Sequence, residues 1–273
     1  MELTWINRGQ PDVGDDGADP KGMVGGLILD ERIPAARHSR RESRTLRNHA
    51  VPNRNAALNP FDDPALASRY EAWYAGEGRR ADVLEKELLG KLLDRFTASR
   101  SVLEVGCGTG HFTRWLAERG LDAVGMDISE PMLNEACRLG GPRYLPGDAH
   151  SLPFADRSFD VTAIITALEF LPDPARALVE AVRVTRHGLL LGALNQWSLL
   201  TLRYRLSGKP LWQSARFFSP SELSKLVRQA AGRRAKAVVW RTTLWPIPGV
   251  RDLSLPWGGF IAMAVHLHEE ISA

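Results

Sequence analysis

The run Val102-Leu103-Glu104-Val105-Gly106-Cys107-Gly108-Thr109-Gly110 sets three glycines at alternate positions. Glycine reaches positive φ without a steric penalty and has no Cβ, so such a run can turn sharply and bring backbone against a ligand. A second candidate is Asp127, which ends the run Ala123-Val124-Gly125-Met126-Asp127. It follows the glycines by about 20 residues, the spacing at which an acidic side chain accepts hydrogen bonds from ribose hydroxyls. A third is Gly147-Asp148-Ala149, where Asp148 can accept from an adenine amino group and Ala149 offers backbone contacts. The alternative for Asp148 is a turn cap, which aspartate also favours. A fourth is the stretch Ile165-Thr166-Ala167-Leu168-Glu169-Phe170-Leu171-Pro172-Asp173-Pro174, in which Glu169 is the candidate general base, its alternative being a solvated loop carboxylate.

The glycine turn alone does not choose its ligand. A dinucleotide fingerprint, G-x-G-x-x-G, would need its last glycine at position 111, which is His111. Glu104 better suits a ligand carrying a positive amino or sulfonium group. Asp127 fits any adenosine cofactor, whether S-adenosylmethionine or NAD. Cys107 reads as a small residue of the turn rather than a nucleophile, since nothing basic adjoins it to lower its pKa. His111 opens the following helix and is either structural or part of the site wall.

These residues need a scaffold that brings them to one edge. From Ser101 onward, short apolar runs alternate with amphipathic ones. Strands are expected at Ser101–Val105, Ala123–Met126, Arg143–Leu145, Val161–Ile165 and Leu189–Leu194. Helices are expected at His111–Arg119, Pro131–Leu139 and Ala175–Thr185. That alternation implies a parallel sheet with helices on both faces. Pro220–Ala231 reads as a further helix with Ser219 as N-cap. Ala237–Leu244 and Ile261–Leu267 read as an antiparallel pair closing the sheet. Two amphipathic helices, Ala65–Tyr74 and Ala81–Phe96, precede the sheet. Every chemical candidate then falls at the carboxyl ends of strands, where doubly wound sheets bind ligands.

The chain has 273 residues, 44% of them hydrophobic, and a formal charge of +3. That charge is too small to imply nucleic acid as a partner. The two cysteines, Cys107 and Cys137, make neither a disulfide framework nor a metal-ligand spacing. No apolar run reaches the roughly 18 residues of a membrane span. No signal-peptide pattern opens the chain, so the expected location is cytoplasmic. Residues 1–58 are rich in Gly, Pro, Asp, Arg and Asn and read as a disordered extension, whose basic stretch Arg37–Arg44 reads as a solvated tail. Residues 59–273 read as one domain. It divides into N-terminal helices (59–98), a cofactor-binding core (99–195), a substrate lid (196–236) and closing strands (237–273).

The order E-V-G-C-G-T-G, then G-x-D-I-S, then G-D-A-x-x-L-P-F-x-D-x-S-F-D, then an apolar loop ending in P-D-P, resembles class I S-adenosylmethionine-dependent methyltransferases. Within them it is similar to the small-molecule branch that includes ubiquinone and menaquinone biosynthesis C-methyltransferases, which carry a type 11 methyltransferase domain. The resemblance covers about residues 65 to 195. It implies a Rossmann-like, seven-stranded, mostly parallel sheet whose last strand is inserted antiparallel. It further implies that Glu104, Gly106, Gly108 and Gly110 line the methionine side, with Cys107 in the same turn. Asp127 takes the ribose, Asp148 and Ala149 the adenine edge, and Ile128 the adenine face, with Thr166 completing the cofactor set. Where quinone-type enzymes often carry His, this chain has Leu168-Glu169, which puts a histidine base in doubt.

Methyl transfer from a sulfonium asks mainly for alignment, so no dedicated base is obligatory. The long loop expected after the fifth strand carries Trp197, Tyr204, Trp212, Phe217 and Phe218 among Arg203, Arg205 and Arg216. With Tyr70, Trp73 and Tyr74 these suit the walls of a pocket for a small apolar or aromatic acceptor. The Asn-Pro-Pro-Tyr type motif of base-amine methylation in nucleic acids is missing. Three alternatives stay open: an NAD(P)-dependent oxidoreductase, a non-catalytic S-adenosylmethionine binder, and a protein or RNA methyltransferase docking through the basic tail.

Overall fold

The computed structural model describes residues 59–247 and 249–268. The N-terminal extension and its basic stretch lie outside them. Asp63 caps the first helix, α1 (Pro64–Ala75), by accepting from the Ala65 N–H at 2.9 Å, and Pro64 supplies a pre-set φ at its first position. α2 (Arg79–Leu93) buries Leu88, Leu89, Leu92 and Leu93, the residues spaced along one face. The glycine run then joins β1 (Ser101–Val105) to α3 (His111–Glu118). β2 (Asp122–Asp127), α4 (Glu130–Leu139), β3 (Arg143–Pro146) and β4 (Phe159–Ile165) follow. α5 (Pro174–Val184) leads into β5 (Thr185–Leu194), and α8 (Pro220–Ala231) into β6 (Ala235–Thr243). Between β5 and α8 lie α6 (Leu199–Leu206) and α7 (Pro210–Ser214).

One sheet runs β3-β2-β1-β4-β5-β8-β6-β7, with β7 at Asp252–Leu253 and β8 at Phe260–Leu267. β1 to β5 pair in parallel, and β8 inserts antiparallel between β5 and β6. The sheet therefore has the expected class, with a two-residue eighth strand added to its edge. Thr242 and Thr243 hold that strand, their hydroxyls donating to the Leu255 and Arg251 carbonyls as well as pairing across it. So short a segment has no periodicity to read.

β4 is buried along its whole length, as a central parallel strand covered on both faces must be. α2 and α3 share one core with Val102, Val161, Ala163, Leu190, Phe260 and Ala262. α5 packs on β4 and β5 and against α8, which packs on β6 and β8. β5 starts four residues earlier than its apolar run, because Thr185 pairs with Phe159 and bonds Thr162. The stretch after β5, read from sequence as a long loop, is instead two helices. Ser198 caps α6 through the Thr201 N–H at 3.1 Å. Leu199, Leu202 and Leu206 on α6 face solvent, so no buried stripe marks that helix. No helix among the described residues is long and apolar enough to cross a membrane.

Gly188 lets β5, β8 and α2 close on one another. A Cβ there would lie 2.1 Å from the Val265 carbonyl oxygen and 2.5 Å from the Phe96 ring. Gly188→Ala is expected to cost roughly 1–3 kcal/mol, the usual range for overpacking a core. Urea unfolding at constant m checks this, and an unchanged midpoint would contradict the packing described.

Candidate active site

β1 ends in a turn whose three glycines all have positive φ: 74° at Gly106, 53° at Gly108 and 77° at Gly110. A Cβ on Gly106 would sit 2.5 Å from that of Ala167, and one on Gly110 would sit 2.4 Å from the Tyr144 hydroxyl. At Gly108 nothing lies within 4 Å, so this side of the turn is open. The Gly106 and Cys107 N–H groups both donate to the Met126 carbonyl, at 2.8 and 3.0 Å. β1 and β2 thus finish at one level.

Asp127 projects from the end of β2 into that opening. Its Oδ2 accepts from the Gly108 N–H at 2.7 Å and its Oδ1 from the Ser129 N–H at 2.9 Å. Burial raises its pKa against the lowering effect of these backbone donors. Each carboxylate oxygen keeps a second lone pair, the complement of two ribose hydroxyls. Ile128, next in sequence, is 66% exposed although it adjoins a buried site. Asp148 forms a tight turn, its Oδ1 accepting from the His150 N–H at 2.9 Å and facing His150 Nδ1 at 2.6 Å. These bonds lower the Asp148 pKa, the backbone N–H first. The turn-cap alternative is thus realised in the structure, and half of this side chain stays exposed. Ala149 is buried beside it.

Glu104 lies beneath the turn rather than in its mouth. It is fully buried, accepts from the Thr113 hydroxyl, and is pushed up to about 8 by desolvation. Cys107 is buried too, and desolvation with the charges of Glu104 and Asp127 raises its thiol well above the usual range. Thr166 closes β4 at φ 49°, with its N–H donating to the Gly192 carbonyl at 2.8 Å. A β-branched residue in the left-handed region is strained, and such strain concentrates at functional sites.

The N-terminal helices are clamped onto this edge by charge. Glu71 on α1 accepts from the Thr109 hydroxyl at 2.9 Å and pairs with Arg114, which also donates to the Thr109 carbonyl at 2.8 Å. His111 stands between Glu71, at 3.3 Å from Nδ1, and Asp82, at 2.7 Å from Nε2. Its ring stacks on Tyr74 at 3.7 Å between centroids. Lys86 pairs with the same Asp82 at 3.0 Å. Burial opposes charging His111, yet the two carboxylates outweigh it and hold the imidazole pKa above its ordinary value. His111 thus joins α1, α2 and α3.

Glu169 sits in a short 3₁₀ turn, Leu168–Phe170, after β4. Its Oε1 accepts from the Leu194 N–H at 2.5 Å, joining this turn to the end of β5. Its Oε2 is buried without a hydrogen-bond partner, and desolvation pushes the carboxyl up to about 7. Its burial excludes the alternative of a solvated loop carboxylate.

A turn open at Gly108, a carboxylate with two lone pairs left, and an exposed apolar side chain beside it fit an adenosine-bearing cofactor. Residues 103–191 match a family model described as a methyltransferase domain. The malonyl-[acyl-carrier protein] O-methyltransferase of Salmonella typhimurium is 32% identical over 207 residues, 74% of this chain and 78% of that enzyme. The chain belongs to the S-adenosylmethionine-dependent methyltransferases. The demethylmenaquinone methyltransferase of Renibacterium salmoninarum is 35% identical over 146 residues, or 50% of this chain and 56% of that relative. A solved Thermotoga maritima methyltransferase, described as a possible histamine N-methyltransferase, superposes with a TM-score of 0.64 at 30% identity, covering 74% of this chain and 96% of that one.

The methyltransferase has functional-site neighbours that sequence reasoning did not single out: Glu71, Asp82 and Glu85. Glu85 had a legible signal. It precedes Leu88, Leu89 and Leu92 by three, four and seven residues, so it occupies a slot on the apolar face of α2. Glu71 had none, because its partners are 38 to 43 residues away.

The clamp has a pH signature. Burial alone would raise the Glu71 pKa, but His111, Thr109 and Arg114 overcome it and bring it to about 2. A depressed carboxylate contributes stability above its unfolded value of 4.5, lost as pH falls toward 2. The raised His111 contributes below its unfolded 6.5, and that contribution is lost as pH rises through its folded value. Glu71→Gln is expected to lose on the order of 2 kcal/mol at pH 6 and little near pH 2. His111→Gln is expected to lose more at pH 6 than at pH 9. Denaturant unfolding across this range checks both, and pH-independent losses would contradict a charged clamp.

Proposed function

We propose that this enzyme methylates a small molecule with an apolar or aromatic body. S-adenosylmethionine supplies an electrophilic methyl group when bound, and the protein's own residues hold and align it. In this reading Glu104, Gly106, Cys107, Gly108 and Gly110 form the methionine side. Asp127 takes the ribose hydroxyls, Ile128 covers one face of the adenine, Asp148 and Ala149 flank its edge, and Thr166 borders the site from β4. The observation that carries the reading is the Asp127 carboxylate, fixed by two backbone donors at the mouth of an open glycine turn. The NAD alternative is disfavoured because His111 fills the place of the third fingerprint glycine and is itself locked in the clamp.

The relatives' names divide between a malonyl group on acyl-carrier protein and demethylmenaquinone. Family membership therefore establishes the donor and leaves the acceptor to the segments outside the cofactor motifs. Those segments are aromatic. Tyr204 stacks on Trp212 at 4.1 Å, and Trp212 lies 6.2 Å from Phe170 of the Glu169 turn. Tyr70 and Phe61 come to the same turn from α1 and the residues before it, with Phe61 4.9 Å from Phe170. Rings from both sides favour an acceptor with an apolar body. Alignment of that acceptor supplies most of the rate, since effective molarity alone can lower a barrier by roughly 7–11 kcal/mol.

Calorimetric titration with S-adenosylmethionine tests the cofactor assignments. Asp127→Ala is expected to weaken binding at least tenfold, about 1.4 kcal/mol, with no heat from NADH. Unchanged affinity in the variant would remove Asp127 from the site.

A further inference from the structure

Among the described residues, two buried carboxyl groups, those of Glu169 and Glu85, form no ion pair of their own. Glu169 is 1% exposed, and its Oε2 has no hydrogen-bond partner. Neither protonation state satisfies that atom: ionised, it needs a donor, and protonated, its O–H needs an acceptor. Glu85 is 4% exposed on α2. The cations that reach it, His111 and Lys86, are both bonded to Asp82. Buried polar atoms in native proteins are satisfied almost without exception, so an orphan of this kind points to something that completes it.

The surroundings narrow what that something is. A band of rings runs from Tyr70 through Phe61 and Phe170 to Trp212 and Tyr204, with centroids 4.1 to 6.4 Å apart at each step. It crosses the 3₁₀ turn that carries Glu169. Phe170 of the band follows Glu169 in the chain, and Tyr70 and Tyr204 at its two ends lie within electrostatic reach of Glu85. The face of an aromatic ring is electronegative and attracts a cation within about 6 Å of its centroid. Carboxylates and ring faces have one common complement, an organic ammonium. An anionic group would be repelled by the carboxylates, and a neutral hydroxyl brings no charge for the ring faces to attract.

We propose that the acceptor site takes a primary or secondary amine in its ammonium form, seated between this aromatic band and the carboxylates of Glu85 and Glu169. The proposal rests on the methyltransferase reading above and names its substrate class. Glu169 has a second task there. One N–H bond of the ammonium breaks as the proton passes to Oε2, which leaves a lone pair on nitrogen, the form that can accept a methyl group. The methylated nitrogen departs as a cation, and Glu169 returns its proton to solvent. Burial pushes Glu169 up to about 7 and strengthens its hold on that proton.

Three probes of one shape test this: 2-phenylethylamine, 2-phenylethanol and 3-phenylpropanoate, titrated calorimetrically into the full chain saturated with S-adenosylhomocysteine. The amine is expected to bind at least ~10-fold more tightly than either of the others. Glu169→Gln keeps the Oε1 acceptor for Leu194 and is expected to abolish that preference, with S-adenosylhomocysteine affinity changed by less than about twofold. Glu85→Gln is expected to reduce the preference in the same direction. Equal binding of all three probes would overturn the amine assignment and leave the small aromatic acceptor standing. Failure of all three to bind would overturn both. Loss of S-adenosylhomocysteine binding in Glu169→Gln, in step with loss of amine binding, would hand the carboxylate to the cofactor's own amino group and overturn the proposal. The wild-type comparison needs no variant to fold.

Discussion

The site depends on the bond between the Asp127 carboxylate and the Gly108 N–H. It joins the ends of two neighbouring parallel strands across a glycine-rich turn. Parallel strands end with their last backbone groups unpaired, and those groups need partners wherever water is excluded. Met126 takes two of the donors and Asp127 takes the third. The same carboxylate accepts from Ser129, whose hydroxyl caps α4 and donates to the Phe61 carbonyl at 2.7 Å. One acidic side chain therefore links the glycine turn, the second strand, the fourth helix and the segment before α1. Its cost is desolvation of a carboxylate, which is why its pKa is raised even with backbone donors around it.

The clamp of Glu71, Arg114, His111 and Asp82 solves a different problem. α1 and α2 precede the sheet and could lie across it at many angles. Apolar packing of α2 is non-directional and does not select one of them. Charged hydrogen bonds are directional, and these converge on Thr109, His111 and Arg114, residues of the turn and the first helical turn after it. Tyr74 is thereby held on the His111 ring, with Tyr70 packed against it.

The core of the fold was legible because it has period and punctuation. Apolar runs alternate with amphipathic helices from Ser101 to Leu194, and the glycines and Asp127 stand where strands end. What escaped has physical reasons. α6 buries no apolar stripe, so Leu199 to Leu206 had no periodic signal, and its cap at Ser198 matters only once Asn195 has bonded the Pro256 and Gly258 carbonyls. β7 exists through hydroxyl contacts from Thr242 and Thr243. Glu104 was legible as acidic and near the turn, but its direction toward Thr113 follows from the pleat: with Val102 it faces the side that α3 covers. Asp148 was legible as a carboxylate at a strand tip, and only the structure shows its Oδ1 engaged with His150.

A protein selected for stability alone would not keep Glu85 and Glu169 as they are. An apolar residue of similar size at Glu85 would extend the face formed by Leu88, Leu89 and Leu92 and avoid burying a carboxylate. Glu169 is harder to replace, because its Oε1 satisfies the Leu194 N–H, but glutamine would do that without a charge. Thr166 adds backbone strain two residues before the same 3₁₀ turn. These are local conflicts of the kind that persist where function requires them. Glu85 and Glu169 share a further property, an acidic group held away from water, and that property is of use to a ligand that brings the opposite charge.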